Sequence, residues 1–155
     1  MVAQRTSKTQ YQIRPAEWKD LSALRKLERV CFPRDRWPIL DLIAVLSFPG
    51  IVRYKAVSNE RLIGFIAGET RSRENVAWIS TIAVHPDFRR QGIATALLDI
   101  CESELKTASV RLTVRKTNID AIQLYDKRGY QMVGIMREYY GDNEDGILYE
   151  KQLFS

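Results

Sequence analysis

The stretch from Val76 to Val114 limits the possible folds more than any other part of the chain. Val76 to Val84, VAWISTIAV, is a near-continuous apolar run of strand length, which suits a strand covered on both faces. A polar loop follows it. From Gly92 to about Leu105 the apolar residues Ile93, Ala96, Leu97, Ile100 and Leu105 recur at helical spacing, and Val110 to Val114 reads as the next strand. A strand, a helix and a strand in that order imply a parallel crossover, with the first strand at the centre of the sheet.

The flanking segments supply the rest of the sheet. Tyr11 to Arg14 is a short alternating run entering a turn at Pro15. Leu21, Leu24, Leu27 and Cys31 form one stripe of a helix starting near Trp18, and a second short helix runs from about Ile39 to Phe48, stopped by Pro49-Gly50. Val52 to Ala56 and Leu62 to Thr70 make a hairpin around Ser58 to Arg61. Asn118 to Arg128 is a helix with Asn118 as N-cap and Gly129 as left-handed terminator. Tyr130 to Tyr139 and Gly146 to Leu153 close the chain as an antiparallel pair. The order β-α-α-β-β-β-α-β-α-β-β predicts an α/β fold with a mixed sheet flanked by helices.

With 155 residues the chain has the size of one domain, expected over residues 11–155 behind a flexible tail of residues 1–10. The apolar stretch from Ile39 to Phe48 is interrupted by Asp41 and too short to span a bilayer. The first ten residues lack the apolar centre of a secretory signal, so a cytoplasmic protein is expected. Cys31 and Cys101 lie far apart and read as free thiols. A net charge of +5 favours anionic partners such as the phosphates of a nucleotide. No block of five consecutive basic residues occurs, which weakens a nucleic-acid reading.

The chemistry concentrates in IAVHPDFRRQGIATALL, Ile82 to Leu98. A strand runs into a loop holding Arg89, Arg90, Gln91 and Gly92, and a helix begins at once. Free N–H groups at a helix start and the positive end of its dipole bind anions. Gly92 allows close approach, Ala94 keeps the next turn narrow, and a pyrophosphate fits. The loop is neither G-x-G-x-x-G nor a Walker loop. It resembles the acetyl-CoA loop of the GNAT superfamily, Arg/Gln-x-x-Gly-x-Gly/Ala, matched by Arg89, Gly92 and Ala94. Downstream, NIDAIQLYDKRGY, Asn118 to Tyr130, is similar to that family's second signature, and the likeness covers nearly the whole chain from Tyr11 to Leu153.

The resemblance implies a mostly antiparallel sheet of about seven strands with about four helices, and an acetyl-CoA cosubstrate. The backbone of Ile82, Ala83 and Val84 would line the pantetheine arm, and Arg89, Arg90, Gln91, Gly92, Ile93, Ala94 and Thr95 would cradle the pyrophosphate. Asn118 and Tyr125 would meet the thioester end, Tyr125 as donor to the departing thiolate. An N-cap role for Asn118 and a core role for Tyr125 are the plainer readings.

Within the superfamily the chain resembles the N-terminal protein acetyltransferases, the RimI type acting on a ribosomal protein among them, through FPRDRW, LTVRKTN and REYYGDNEDGILY. That likeness implies a protein or peptide N-terminus as acceptor, a ribosomal protein being one candidate. Phe32, Trp37, Tyr139 and Tyr140 would be substrate contacts, and the enzyme a monomer or weak dimer. The plainer alternative for Tyr139 and Tyr140 is an aromatic patch that stabilises the final hairpin. RimI-like relatives carry a glutamate base on the fifth strand where this chain has Thr113, which takes no proton at neutral pH.

The deprotonation demand separates the possible amines. An α-amine is roughly 10% neutral at pH 7 and a lysine below about 0.1%, a difference of roughly 3 to 4 kcal/mol. A weak relay through water near Glu69, Ser80 and Thr113 therefore suits an α-amine. His85, the only histidine, is expected to be structural, and no metal site is implied. The competing readings are acetyl transfer to a small amine or lysine side chain, a non-catalytic acetyl-CoA-binding module, and a basic nucleic-acid binder.

Overall fold

A computed structural model describes residues 9–35, 37–71 and 73–154. The expected tail falls mostly outside them. Thr9 and Gln10 are described and held, Thr9 N donating to Gln91 Oε1 at 2.9 Å and the Gln10 carbonyl accepting from Ser58 Oγ at 2.8 Å.

The strands are β1 Gln12–Pro15, β2 Ile51–Ser58, β3 Arg61–Arg71, β4 Val76–Val84, β5 Ser109–Arg115, β6 Gln131–Met136 and β7 Gly146–Gln152. The helices are α1 Leu21–Cys31, α2 Ile39–Ser47, α3 Ile93–Glu104 and α4 Ile119–Lys127. The helix expected from Trp18 opens with a 3-10 turn at Trp18–Asp20 before α1 begins. The sheet order is β1-β2-β3-β4-β5-β7-β6, which puts β4 in the middle. The β4–β5 pairing is parallel, as the crossover through α3 requires, and the other pairings are antiparallel.

Alternation along β3 divides the interior in two. Phe65 and Ala67 join Ala83 against Leu24 and Leu27 of α1 and Leu42, Val45 and Leu46 of α2. Ile66 faces the other way, onto Ile93, Leu97, Leu98 and Cys101 of α3 and Tyr125 of α4, and Ile63, left without a partner by a bulge against β2, joins it there. Two glycines let α3 sit close to the sheet. A Cβ at Gly64 would come within 3.2 Å of Leu97 Cδ1, and one at Gly68 within 3.1 Å of Cys101 Sγ. Leu97 is fully buried there, and truncating such a side chain to alanine costs about 2–5 kcal/mol.

Candidate active site

The sheet opens at its centre. β4 and β5 pair only over Val76–Trp78 and Ser109–Arg111, although β4 continues to Val84 and β5 to Arg115. One extra residue accompanies the parting: Ala67 pairs with Thr81 and Gly68 with Ile79, leaving Ser80 without a partner on β3. A bulge of this kind bends its strand and raises the local twist. Beyond it, His85 N donates to the Ile63 carbonyl at 2.8 Å, so by strand alternation Ile82 and Val84 turn their main-chain groups to the opening. The Val84 carbonyl accepts from Arg89 Nε at 3.0 Å and from Cys31 Sγ at 3.4 Å. Ala83 turns its main chain toward β3 and buries its methyl in the α1–α2 core. Of the three residues expected along the arm, Ile82 and Val84 stand at the opening.

The opening leads to the start of α3. Arg90 has φ 62° and Gly92 φ 80°, so the chain turns sharply before the helix. No side chain caps α3 and its first turn holds no acid. Its first helical bond is Ala96 N to the Gly92 carbonyl at 3.0 Å, which leaves the N–H groups of Ile93, Ala94 and Thr95 ahead of the ladder. A Cβ on Gly92 would meet nothing within 4 Å. Free donors, the positive end of a 12-residue helix and open space at Gly92 fit a diphosphate. Arg90 is exposed at this turn, while Arg89 folds back on Val84.

α4 closes the other side. Asn118 caps it, Oδ1 accepting from Ala121 N at 3.3 Å, and Tyr125 lies two turns on. Tyr125 is buried and packs on Tyr130 and Tyr149 at centroid distances of 5.5 and 6.1 Å. Burial raises its phenol above the usual range, with Tyr140 adding to the rise. It is therefore a neutral donor throughout the physiological range.

The second face of β3, β4, β5 and β7 beside this opening carries polar side chains. Glu69, Trp78, Arg111 and Glu150 stand in one register row, Arg71 lies 5.1 Å above the Trp78 ring, and Arg111 Nε bonds Glu150 at 2.5 Å. Thr113 is one row on, paired with Leu148. Continuing the β4–β5 register past its last pair brings Ser80 and Thr113 to opposite sides of the opening, with Glu69 a row behind. Thr113 is half-buried, and its Cγ2 would lie 2.7 Å from a Cβ at Gly146, with the Tyr139 ring at 3.3 Å. Gly146, the Thr113 methyl and Tyr139 thus share one tight contact.

Two loops wall this face. Phe32 and Trp37, in the α1–α2 loop, are half-buried against the α1–α2 core. Glu28, buried in α1, accepts from Trp37 N at 2.9 Å, and burial raises its carboxyl. Tyr139 and Tyr140, in the β6–β7 loop, pack edge to face at 5.1 Å and 83°. Burial and Tyr139 push the Tyr140 phenol up to about 12. The loops meet at Arg115, which bonds Asp35 from one and Asp142 and Glu144 from the other. Arg34, Asp142, Glu28 and Arg115 were not singled out from the sequence. The available signal was alternation along LTVRKTN, which puts Arg115 on the face of Thr113, together with the acids of GDNED. Arg36 lies outside the described residues. His85 caps the short turn Pro86–Phe88, its Nδ1 accepting from Asp87 N at 3.1 Å. Among the described residues no group of three or more His, Cys, Asp or Glu could hold a metal, and no helix is long and apolar enough to cross a membrane.

A central sheet parted between two parallel strands, with an anion-ready helix start at one end and a buried phenol beside it, defines a coenzyme A-dependent acyltransferase. The chain belongs to the acetyltransferase (GNAT) family, whose model matches residues 21–130. It is 26% identical to an N-alpha-acetyltransferase of Saccharolobus solfataricus, over 98% of this chain and 99% of that protein. It is 30% identical to an N-alpha-acetyltransferase of Sulfurisphaera tokodaii, over 90% and 91%. The crystal structure of the ribosomal-protein-S18-alanine N-acetyltransferase from Escherichia coli matches with a TM-score of 0.85 at 27% identity, covering 94% of this chain and 96% of that one. The protein is an acetyl-CoA-dependent N-acetyltransferase, and the expected fold and cosubstrate stand.

Proposed function

We propose that the acceptor is the N-terminal α-amine of a protein or peptide, a ribosomal protein being one candidate, and that the enzyme works in the cytoplasm as a monomer or weak dimer. The observation that carries this reading is the site's lack of a carboxylate at Thr113, whose methyl packs beside Gly146 next to Tyr139. Such a site suits an amine that is partly neutral already, which an α-amine is and a lysine is not. The names of the two archaeal relatives and of the bacterial structural neighbour support the same acceptor class.

The thioester of acetyl-CoA supplies the activated acyl group, and the chain's own residues do the rest. Ile82, Val84 and the turn from Arg89 to Thr95 hold the donor in line with the opening. Asn118 keeps the start of α4 in place beside it. Tyr125, neutral in its buried setting, donates a hydrogen bond or proton to the departing sulfur. Phe32, Trp37, Tyr139 and Tyr140 shape the acceptor groove. The amine's proton leaves through water held near Ser80, Thr113 and Glu69.

The test is incubation with acetyl-CoA and a peptide library, with mass spectrometry locating the new acetyl group. Acetylation at peptide N-termini is expected, and modification confined to lysine side chains overturns the assignment. Separately, Glu69→Gln and Thr113→Ala should each lower turnover and shift its pH profile. If both leave rate and profile unchanged, the relay is wrong.

A further inference from the structure

The acceptor groove is walled by segments far apart in the chain, and one side chain joins them. Arg115 sits at the end of β5 with its side chain only 11% exposed. Its Nε and Nη2 take the two oxygens of Asp35 at 2.6 Å each. Its Nη1 reaches both oxygens of Asp142 at 3.0 Å and Glu144 Oε2 at 2.5 Å. The guanidinium also lies over the Tyr140 ring, 4.3 Å from its centroid, and Tyr140 packs on Tyr139. Arg34 adds a second tie across the same gap, bonding Asp142 at 3.1 Å. Glu144 accepts from Thr117 N at 3.0 Å and from the Thr117 hydroxyl, which fastens the β6–β7 loop to the start of α4.

This geometry uses the planar fork of arginine in full. A lysine could replace the charge but not the bidentate grip on Asp35 or the stacking on Tyr140. The pairs with Asp35 and Glu144 are half-buried, so salt screens them less than exposed ones. Thr113, the residue facing the opening, lies two positions before Arg115 on the same strand face.

We infer that Arg115 is a positioning residue for the acceptor: it holds the α1–α2 loop, the β6–β7 loop and the Tyr140 ring in the one arrangement that admits the acceptor. The inference rests on reading this groove as the acceptor site. Arg115 does not contact the donor turn at the start of α3, so donor binding and acceptor binding should separate on its removal.

The experiment compares Arg115→Lys, Arg115→Gln and Asp35→Asn with the unaltered enzyme. Acetyl-CoA affinity is read by calorimetry, and kcat and KM are read for a peptide whose N-terminus the unaltered enzyme acetylates. Arg115→Lys should raise peptide KM about tenfold while the acetyl-CoA Kd stays within about twofold. Asp35→Asn, which weakens only the Arg115 tie to the α1–α2 loop and leaves the Arg34–Asp142 pair in place, should move peptide KM the same way by a smaller factor. If Arg115→Gln does not fold, the other two variants decide the matter. Peptide KM at the unaltered value in Arg115→Lys and Asp35→Asn overturns the inference, and so does a loss of acetyl-CoA affinity as large as the rise in peptide KM. An unaltered enzyme that acetylates only free lysine or small amines overturns the acceptor assignment and this inference together. Normal peptide turnover with insensitive variants overturns this inference alone.

Discussion

Replacing Gly92 separates the two things this residue does. Its φ of 80° lies in the left-handed region, where an L-residue costs roughly 1–2 kcal/mol. Alanine recovers part of that by restricting the unfolded chain, about 0.4–1 kcal/mol. A Cβ there meets no protein atom within 4 Å, so packing adds nothing and Gly92→Ala should cost about 1 kcal/mol net. For a chain of this length that is a Tm lower by about 2–4 °C. On the proposed reading of this turn, the same Cβ enters the open space through which the diphosphate approaches the N–H groups of Ile93 and Ala94. Losing one or two hydrogen bonds to a charged group removes about 1.5–3 kcal/mol each, so acetyl-CoA affinity should fall at least roughly tenfold. Gly92→Asn provides the control, since asparagine tolerates this conformation. It should restore most of the Tm while leaving acetyl-CoA binding weak. Thermal melts without ligand and calorimetry with acetyl-CoA read the two quantities. Full acetyl-CoA affinity in both variants would refute the assignment of this turn to the diphosphate.

Tyr125→Phe should lower kcat by about 10²-fold with little change in acetyl-CoA Kd. Burial raises the phenol's pKa, so its proton is present below that raised value and lost only above it. The loss of rate should therefore be constant from pH 6 to pH 9 by pH–rate profile, and a loss that grows with pH in this window contradicts the donor role. Gly146→Ala places a Cβ 2.7 Å from Thr113 Cγ2, and overpacking of this kind costs about 1–3 kcal/mol. Urea unfolding should show that cost shrinking when Thr113→Ser removes the methyl, and additive effects of the two changes would disprove the contact.

Where local pattern dictates structure, the chain is readable. VAWISTIAV is β4 with the bounds its apolar run suggests, and α4 is capped by Asn118 and ended near Gly129 at φ 88° as their chemistry requires. The turn before α3 was readable for the same reason, because Gly92 and the following helix are neighbours in sequence. The parting of β4 from β5 was not, because the bulge falls at Ser80 with no glycine or proline on β4 to mark it, and Gly68 across from it lies in another segment of the sequence. Trp18–Asp20 forms a 3-10 turn rather than the first turn of α1, a choice among close hydrogen-bonding alternatives that spacing does not resolve. The Arg115 cluster depends on a contact between residues 80 positions apart. Periodicity marks the face of such a residue and says nothing of its partner. Ala83 failed as an arm residue because backbone direction alternates, and that parity becomes visible only once His85 is seen bonded to Ile63.

The parted sheet leaves the main-chain groups of Ile82 and the amide of Val84 turned to the opening, the Val84 carbonyl being taken by Arg89 and Cys31, and such groups belong to every residue type except proline at the amide. Exchange of side chains along that edge alters its contour without erasing its polarity. An extended ligand bearing its own amides can lie there as a substitute strand, bridging halves of the sheet that otherwise touch only at their base. The enzyme is in this sense fastened by what it consumes: at a hundredfold excess over Kd, bound donor adds about 2.7 kcal/mol to the folded state.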